Sequence, residues 1–167
     1  MTDRAGPPKA PSAAPATDEI VWDRPDPFVW SITVAPEHID MFGHTNNVVY
    51  LRFMAITAWE HSKALGLDFE AYQRFGKGMV VRRHELDYLA ATFVDEELAF
   101  ATWITRNDGR LRLRRRFQLF SRTRGITVLR GLTDFVSIDL ETGKPTRMPP
   151  EFKTVYAVTA TWDTPEG

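Results

Sequence analysis

The 167-residue chain has no cysteine, which excludes a disulfide scaffold, a thiolate zinc site, an iron–sulfur cluster and a cysteine nucleophile. No stretch approaches the ~20 consecutive apolar residues of a membrane-spanning helix, and the first residues lack the apolar core of a signal peptide. An excess of one charge is missing as well. The 21 Lys and Arg residues and 22 Asp and Glu residues leave a net charge of −1, without the broad cationic field of a non-specific nucleic-acid binder. The four histidines, His38, His44, His61 and His84, show no metal-ligand spacing. The expectation is one cytoplasmic globular domain that binds no metal, no nucleic acid and no membrane.

The first segment has little to bury. Residues 1–17 hold Pro7, Pro8, Pro11, Pro15 and five alanines, and no large apolar residue follows Met1. Such a composition cannot offset its ordering entropy. The expected organisation is a disordered tail over 1–21, one folded domain over 22–160 and a C-terminal tail over 161–167. Trp22 and Trp30 mark where the chain begins to dock.

Within the domain the patterns are clear. Phe28 to Val34 is rich in β-branched and aromatic residues and reads as a strand that Pro36 ends. A loop over 37–46 follows. From Asn47 the period becomes helical, with Asn46 as the N-cap and Gly66 as the stop. Tyr50, Leu51, Met54, Ala58 and Leu65 share one face of this helix, and Arg52 and Lys63 lie opposite. A shorter helix over 68–75 leads to strands near 79–92, 97–106, 110–123 and 126–139, with turns at Asn107-Asp108-Gly109 and Arg124-Gly125. Leu111, Leu113, Phe117 and Leu119 alternate with Arg110, Arg112, Arg114, Arg116 and Gln118. Arg115 breaks the alternation, so either a bulge shifts the register or Arg115 meets a partner. The order predicts an α+β fold in which one antiparallel sheet curls around one long helix and keeps a largely polar outer face.

The loop Asp40-Met41-Phe42-Gly43-His44-Thr45-Asn46-Asn47 carries the candidate chemistry. It places a carboxylate, a glycine, an imidazole and two amides just before a helix start. Unpaired N–H groups and the positive dipole end there can polarise a carbonyl oxygen. A carboxylate on the carbonyl's other side can activate water or attack the carbon. The plainer reading of the same residues is caps and a turn.

The pattern Asp-x-x-Gly-His-x-Asn-Asn-x-x-Tyr-Leu, with the helix ending Ala64-Leu65-Gly66, resembles the hotdog-fold acyl-CoA thioesterases of the 4-hydroxybenzoyl-CoA thioesterase type. Glu85 to Leu89 with Asp95 to Leu98, Phe135 to Asp139, Thr142 to Pro145 and Met148 to Glu151 extend the resemblance over about residues 28–155. It implies a curved antiparallel sheet wrapped around a central helix, and active sites at the interface of a homodimer or homotetramer. It also implies hydrolysis of an acyl-CoA without a cofactor. The catalytic aspartate then matches Asp40 and the polarising amide matches Asn47. His44 joins them, and Gly43, Asn46 and Tyr50 belong to the substrate site. One departure stands out: Ala55 and Ala58 replace a Glu and an Arg that many relatives carry, whereas Glu60 matches.

Residues 106–130 hold nine arginines and one acid, Asp108. Guanidinium groups suit the anionic end of coenzyme A, and Arg122 and Arg124 near a turn are the candidates. A solvated outer sheet face explains the remainder. His61, on the apolar helix face, is expected to be a satisfied core histidine, and Trp59 and Trp103 core or interface aromatics. Two other classes remain in view, a non-catalytic acyl-CoA or lipid-binding hotdog module and an acyl-carrier-protein thioesterase.

Overall fold

Five strands and three helices account for the patterned part of the chain. The structure is a computed structural model, and it describes residues 20–162. Most of the expected N-terminal tail and the last five residues lie outside that range. Strand β1 (Phe28–Thr33) precedes helix α1 (Asn47–Ala64) and helix α2 (Phe69–Phe75). Strands β2 (Lys77–Tyr88), β3 (Glu97–Asn107), β4 (Arg112–Ser121) and β5 (Ile126–Asp139) follow, then helix α3 (Pro150–Val155). The sheet is antiparallel throughout in the order β1-β3-β4-β5-β2, leaving β1 and β2 as edges. This is the expected sheet around one long helix.

Helix α1 starts where the Asn46 side chain accepts the Val48 N–H at 3.0 Å, the capping bond its sequence predicts. Tyr50, Phe53, Met54, Thr57, Ala58, His61 and Ser62 recur at three- and four-residue spacing and are buried. They pack on Leu98, Phe100, Phe117, Leu119 and Leu129 of the sheet. Each fully buried Leu, Phe or Met among them contributes roughly 1.5–3 kcal/mol. The approach is close at β5, where a Cβ on Gly131 would lie 3.0 Å from the Met54 methyl. A side chain at this position would require the Met54 methyl to shift by a few tenths of an ångström.

Three bulges curl the sheet. Pairing shifts by one residue at Arg82 of β2, at Thr105 of β3 opposite Arg114 and Arg115, and at Val128 of β5. Strand β4 itself keeps a strict alternation, so Leu113, Arg115, Phe117 and Leu119 all face the helix side. Of the two explanations for Arg115, the partner contact is the one the structure contains, and the bulge sits on the neighbouring strand.

The outer face corrects the expectation of a largely polar surface. Trp103 is fully buried there, between Trp22 at 6.5 Å and Trp162 at 5.6 Å, and Trp22 also meets Phe120 at 6.2 Å. The Trp103 indole N–H donates to the Pro25 carbonyl at 2.9 Å, and Arg130 grips Asp23 at 2.7 and 2.8 Å. Both ends of the described chain therefore cover one aromatic patch. Docking begins by Trp22, as that tryptophan suggested. Helix α3 had no sequence signal beyond a closing tail. It inserts Phe152 between Tyr72 and Tyr156 in a second apolar cluster with Leu113 and Ile104.

A buried ion pair ties the turn before β3 to the β4–β5 turn. Glu96 is 2% exposed. It accepts from Arg124 Nε at 2.7 Å, from the Phe93 N–H at 2.9 Å, and from the Ser121 hydroxyl. Breaking a buried pair by neutralising one partner costs more than a surface pair, because the other charge stays desolvated. Glu96→Gln should lower unfolding free energy by about 3 kcal/mol, measured as the urea midpoint. An unchanged midpoint would show that the pair carries no net stability.

Candidate active site

The segment between β1 and α1 is folded by its own side chains. The Asp40 N–H donates to the His44 carbonyl at 2.8 Å, the Gly43 N–H donates back to the Asp40 carbonyl at 3.0 Å, and Ile39 bridges Thr45. Asp40 Oδ1 accepts from the Phe42 N–H at 2.8 Å and, more weakly, from the His44 N–H at 3.4 Å. Gly43 sits at φ +77°, the left-handed region that tight turns need. The Asn46 N–H donates to the His38 carbonyl, the Val48 N–H is taken by the Asn46 side chain, and the Val49 N–H by the Asn46 carbonyl. Asn47 is exposed, and its N–H has no acceptor among the described residues. An exposed, unpaired amide thus opens the positive end of an eighteen-residue helix.

The loop is held from behind by three hydroxyls. Tyr50 Oη lies 2.9 Å from Thr92 Oγ1, which donates to Thr45 Oγ1 at 2.6 Å, and Thr45 Oγ1 in turn donates to the Thr92 carbonyl at 3.2 Å. Tyr50 is accordingly a buried anchor for the loop, and burial raises its phenol pKa above the ordinary value. The His44 ring meets Phe93 edge-on at 5.4 Å, and Arg124 lies 5.6 Å above the same phenyl ring. Arg124 is therefore near the loop, but its guanidinium is engaged by Glu96 and by the Ala91 carbonyl at 2.6 Å. Arg122 is exposed on the same turn. Tyr88 crosses the helix start, its hydroxyl donating to the Asn47 carbonyl at 3.4 Å and its ring 5.6 Å from Tyr50.

A cavity of about 350 Å³ runs alongside α1, walled by the inner faces of β2, β4 and β5. Met54, Ala55, Ala58 and Trp59 of the helix line it, with Val81 and Phe135 opposite. The two alanines that depart from the resembled pattern both lie on its wall. Ser62, Tyr72, Arg115 and Tyr156 also line it. These four form one network: Arg115 donates to Ser62 Oγ at 3.1 Å, Tyr156 Oη donates to the same oxygen at 2.9 Å, and Tyr72 Oη bonds Tyr156 Oη. Arg115 also meets His61 Nδ1 at 2.6 Å, and the His61 ring stacks on Phe28 at 4.7 Å. Among the described residues no cluster of three or more His, Asp or Glu could hold a metal ion, and no helix is long and apolar enough to cross a membrane.

Residues 34–155 match the family model of the thioesterase-like superfamily. The chain belongs to that superfamily. Among curated proteins none matches. Solved structures do, and they share the hotdog fold with this superfamily member. A Staphylococcus aureus protein described as hypothetical and solved in complex with CoA superposes with TM-score 0.73 at 18% identity, over 82% of this chain and 89% of that one. A 1,4-dihydroxy-2-naphthoyl-CoA thioesterase from Synechocystis gives 0.70 at 16% identity, over 78% and 96%. The DHNA-CoA thioesterase of S. aureus gives 0.72 at 20% identity, over 78% and 88%.

The structure gathers Asp40, Gly43, His44, Asn46 and Asn47 in one loop, backs them with Tyr50, and sets Arg124 nearby. Sequence reasoning missed the cavity's polar wall. Its one signal was Arg115 out of alternation together with His61 on an apolar helix face; Tyr72 and Tyr156 gave none. Burial first, then the neighbouring Arg115 charge, lowers the His61 pKa to about 4, so His61 is the neutral core histidine expected. An unfolded histidine binds its proton near pH 6.5, whereas the native one resists until about pH 4. The native state is therefore favoured above about pH 6.5 and loses this contribution as pH falls toward 4. Urea midpoints between these limits should fall more steeply for the unmodified protein than for His61→Gln. Parallel curves would contradict a buried neutral imidazole.

Proposed function

We propose that this chain is an acyl-CoA thioesterase, releasing a free acid and coenzyme A, with Asp40 as general base or nucleophile. The observation that carries the reading is the free, exposed Asn47 N–H at the start of α1, in the same loop as the Asp40 carboxylate. A thioester carbonyl that accepts from Asn47 gains a donor aimed at the oxygen where charge develops. Asp40 then supplies the base for water, or attacks the carbon itself. No cofactor is required, because a thioester is already activated. Membership of the thioesterase-like superfamily supports the reaction class, and the CoA and naphthoyl-CoA names of similar structures support the substrate class. The 4-hydroxybenzoyl-CoA type remains our closest analogy for the arrangement of the loop. Ala55 and Ala58 give this chain an apolar acyl cavity where relatives carry charge. His44 orients the loop, Gly43 and Asn46 shape it around the thioester, and Arg122 meets the nucleotide end of CoA.

The test is Asp40→Asn. Asparagine keeps the Oδ1 acceptor that takes the Phe42 and His44 N–H groups, so the loop keeps its shape and only the charge and the proton acceptor go. Turnover should fall by about 10²–10⁴-fold with acyl-CoA binding nearly intact, assayed by thiol release on the best substrate of the unmodified enzyme. Near-normal turnover in a folded sample would remove Asp40 from the chemistry, whereas acyl-CoA binding without thiol release by the unmodified protein would make the chain an acyl-CoA-binding module.

The assembly we propose is a homodimer or a tetramer built from it. Strand β2 is a free sheet edge with Val80, Val81 and Tyr88 exposed, and Met41 and Phe42 stand exposed on the Asp40 loop. Apolar side chains along an unpaired edge favour pairing with a second copy. Light scattering at micromolar concentration should give about twice 19.1 kDa or more. A catalytically active species of 19.1 kDa would contradict a shared site.

A further inference from the structure

Arg115 is the one Lys, Arg, Asp or Glu side chain on the wall of a largely apolar cavity that Ser62, Tyr72, His84, Thr133 and Tyr156 also line, and it is 2% exposed. A guanidinium carries five N–H donors. His61 Nδ1 and Ser62 Oγ accept from it at 2.6 and 3.1 Å, and the Tyr156 hydroxyl is a further partner. Both acceptors are neutral, and so are the tyrosines beside them: the guanidinium lies 5.3 Å over the Tyr156 ring, and burial together with the adjacent Tyr156 raises the Tyr72 phenol pKa. No carboxylate pairs with Arg115 among the described residues. Another enclosed arginine is handled differently, since Arg124 has Glu96 against it at 2.7 Å. A buried cation without a counter-charge is strongly disfavoured unless something else supplies one. Here the open side is the cavity.

We propose that the cavity takes an acyl group whose far end bears a carboxylate, with Arg115 as its counter-charge. The substrate class is an ω-carboxyacyl-CoA. This rests on the thioesterase reading above and adds the identity of the acyl end. The dimensions agree with it. At about 1.5 Å of rise per residue, Met54 lies roughly 10 Å and Ser62 roughly 22 Å along α1 from the free Asn47 amide. A chain whose thioester sits at Asn47 and whose body lies along the helix meets the apolar wall of Met54, Ala55 and Ala58 first and the Arg115–Ser62 end last. A methyl terminus leaves the guanidinium without a counter-charge, and a carboxylate supplies one. Guanidinium and carboxylate planes match for two parallel hydrogen bonds.

The experiment compares ω-carboxyacyl-CoAs with methyl-ended acyl-CoAs of the same length, over a ladder of lengths, by thiol release. The unmodified protein should favour the carboxylate-ended partner in kcat/KM by on the order of 10- to 100-fold at its best length, the worth of a charged hydrogen bond. In Arg115→Met that ratio should collapse to about one or reverse, and in Arg115→Lys it should fall to an intermediate value. An arginine that only ties α1 to β4 would change stability and leave the ratio unmoved. Because Arg115→Met removes a core contact, calorimetry on the unmodified protein provides the second arm, with free long-chain dicarboxylates against their uncharged dimethyl esters. Tighter binding of the dicarboxylate supports the assignment, and equal binding overturns it. Hydrolysis of both kinds of thioester at equal rates also overturns it while leaving the thioesterase reading in place. If neither thioester is cleaved but the dicarboxylate binds selectively, the thioesterase reading fails and the cavity assignment stands.

Discussion

Three hydroxyl groups, those of Thr45, Tyr50 and Thr92, hold the first turn of α1 against the turn that follows β2. They are buried, so each must find partners inside the protein, and they find them in one another and in the Thr92 carbonyl. That requirement fixes where the helix begins. Once the helix start is fixed, the Asn47 amide has no fold-internal use, and the loop carrying Asp40 closes on itself through backbone bonds and the aspartate's own oxygen. The Glu96–Arg124 pair braces the same turn from the other side, through Phe93 and Ala91. Geometry at the candidate site is thus set by a polar cluster that makes no contact with the cavity.

Much of this was legible in the residues because it is local. The cap at Asn46, the left-handed glycines after α1 and α2, and the turns at Gly109 and Gly125 follow from single-residue preferences. The long helix and the last four strands follow from their periods. What the sequence hid is long-range. Nothing near Tyr72 or Tyr156 announces that their hydroxyls meet across 84 residues of chain. The outer face looked polar because its arginines are numerous, yet Trp22, Trp103 and Trp162 come from three distant places to make it aromatic. Arg115 is the instructive case. Its violation of the strand pattern was visible, but whether a register shift or an inward partner explained it depended on a bulge in the neighbouring strand. For the candidate site, the loop was readable as a unit, whereas the cavity beside the helix was not. It is assembled from α1, α2, three strands and the segment after α3.

The two parts of the candidate site differ in kind. The loop end presents backbone groups at the surface, beside the Asp40 carboxylate. At the cavity end the buried polar groups are bonded mainly to one another. Replacing a Glu and an Arg of the resembled pattern by Ala55 and Ala58 removes two charges from the middle of the helix face. On this chain the buried charge beside the cavity is on the opposing sheet, at Arg115. Polarity in this protein is therefore arranged along the length of α1, with an exposed amide at its first turn and a buried cation near its last.

The covered outer face has one more consequence. Arg24 donates to the Thr161 carbonyl at 2.9 Å and lies 4.5 Å over the Trp162 ring, so the two ends of the described chain lie side by side on the sheet. Neighbouring ends mean that the order in which the elements are strung is not dictated by how they pack. Topologically the domain is a closed ring with a single cut, and the cut happens to fall on the face farthest from the helix.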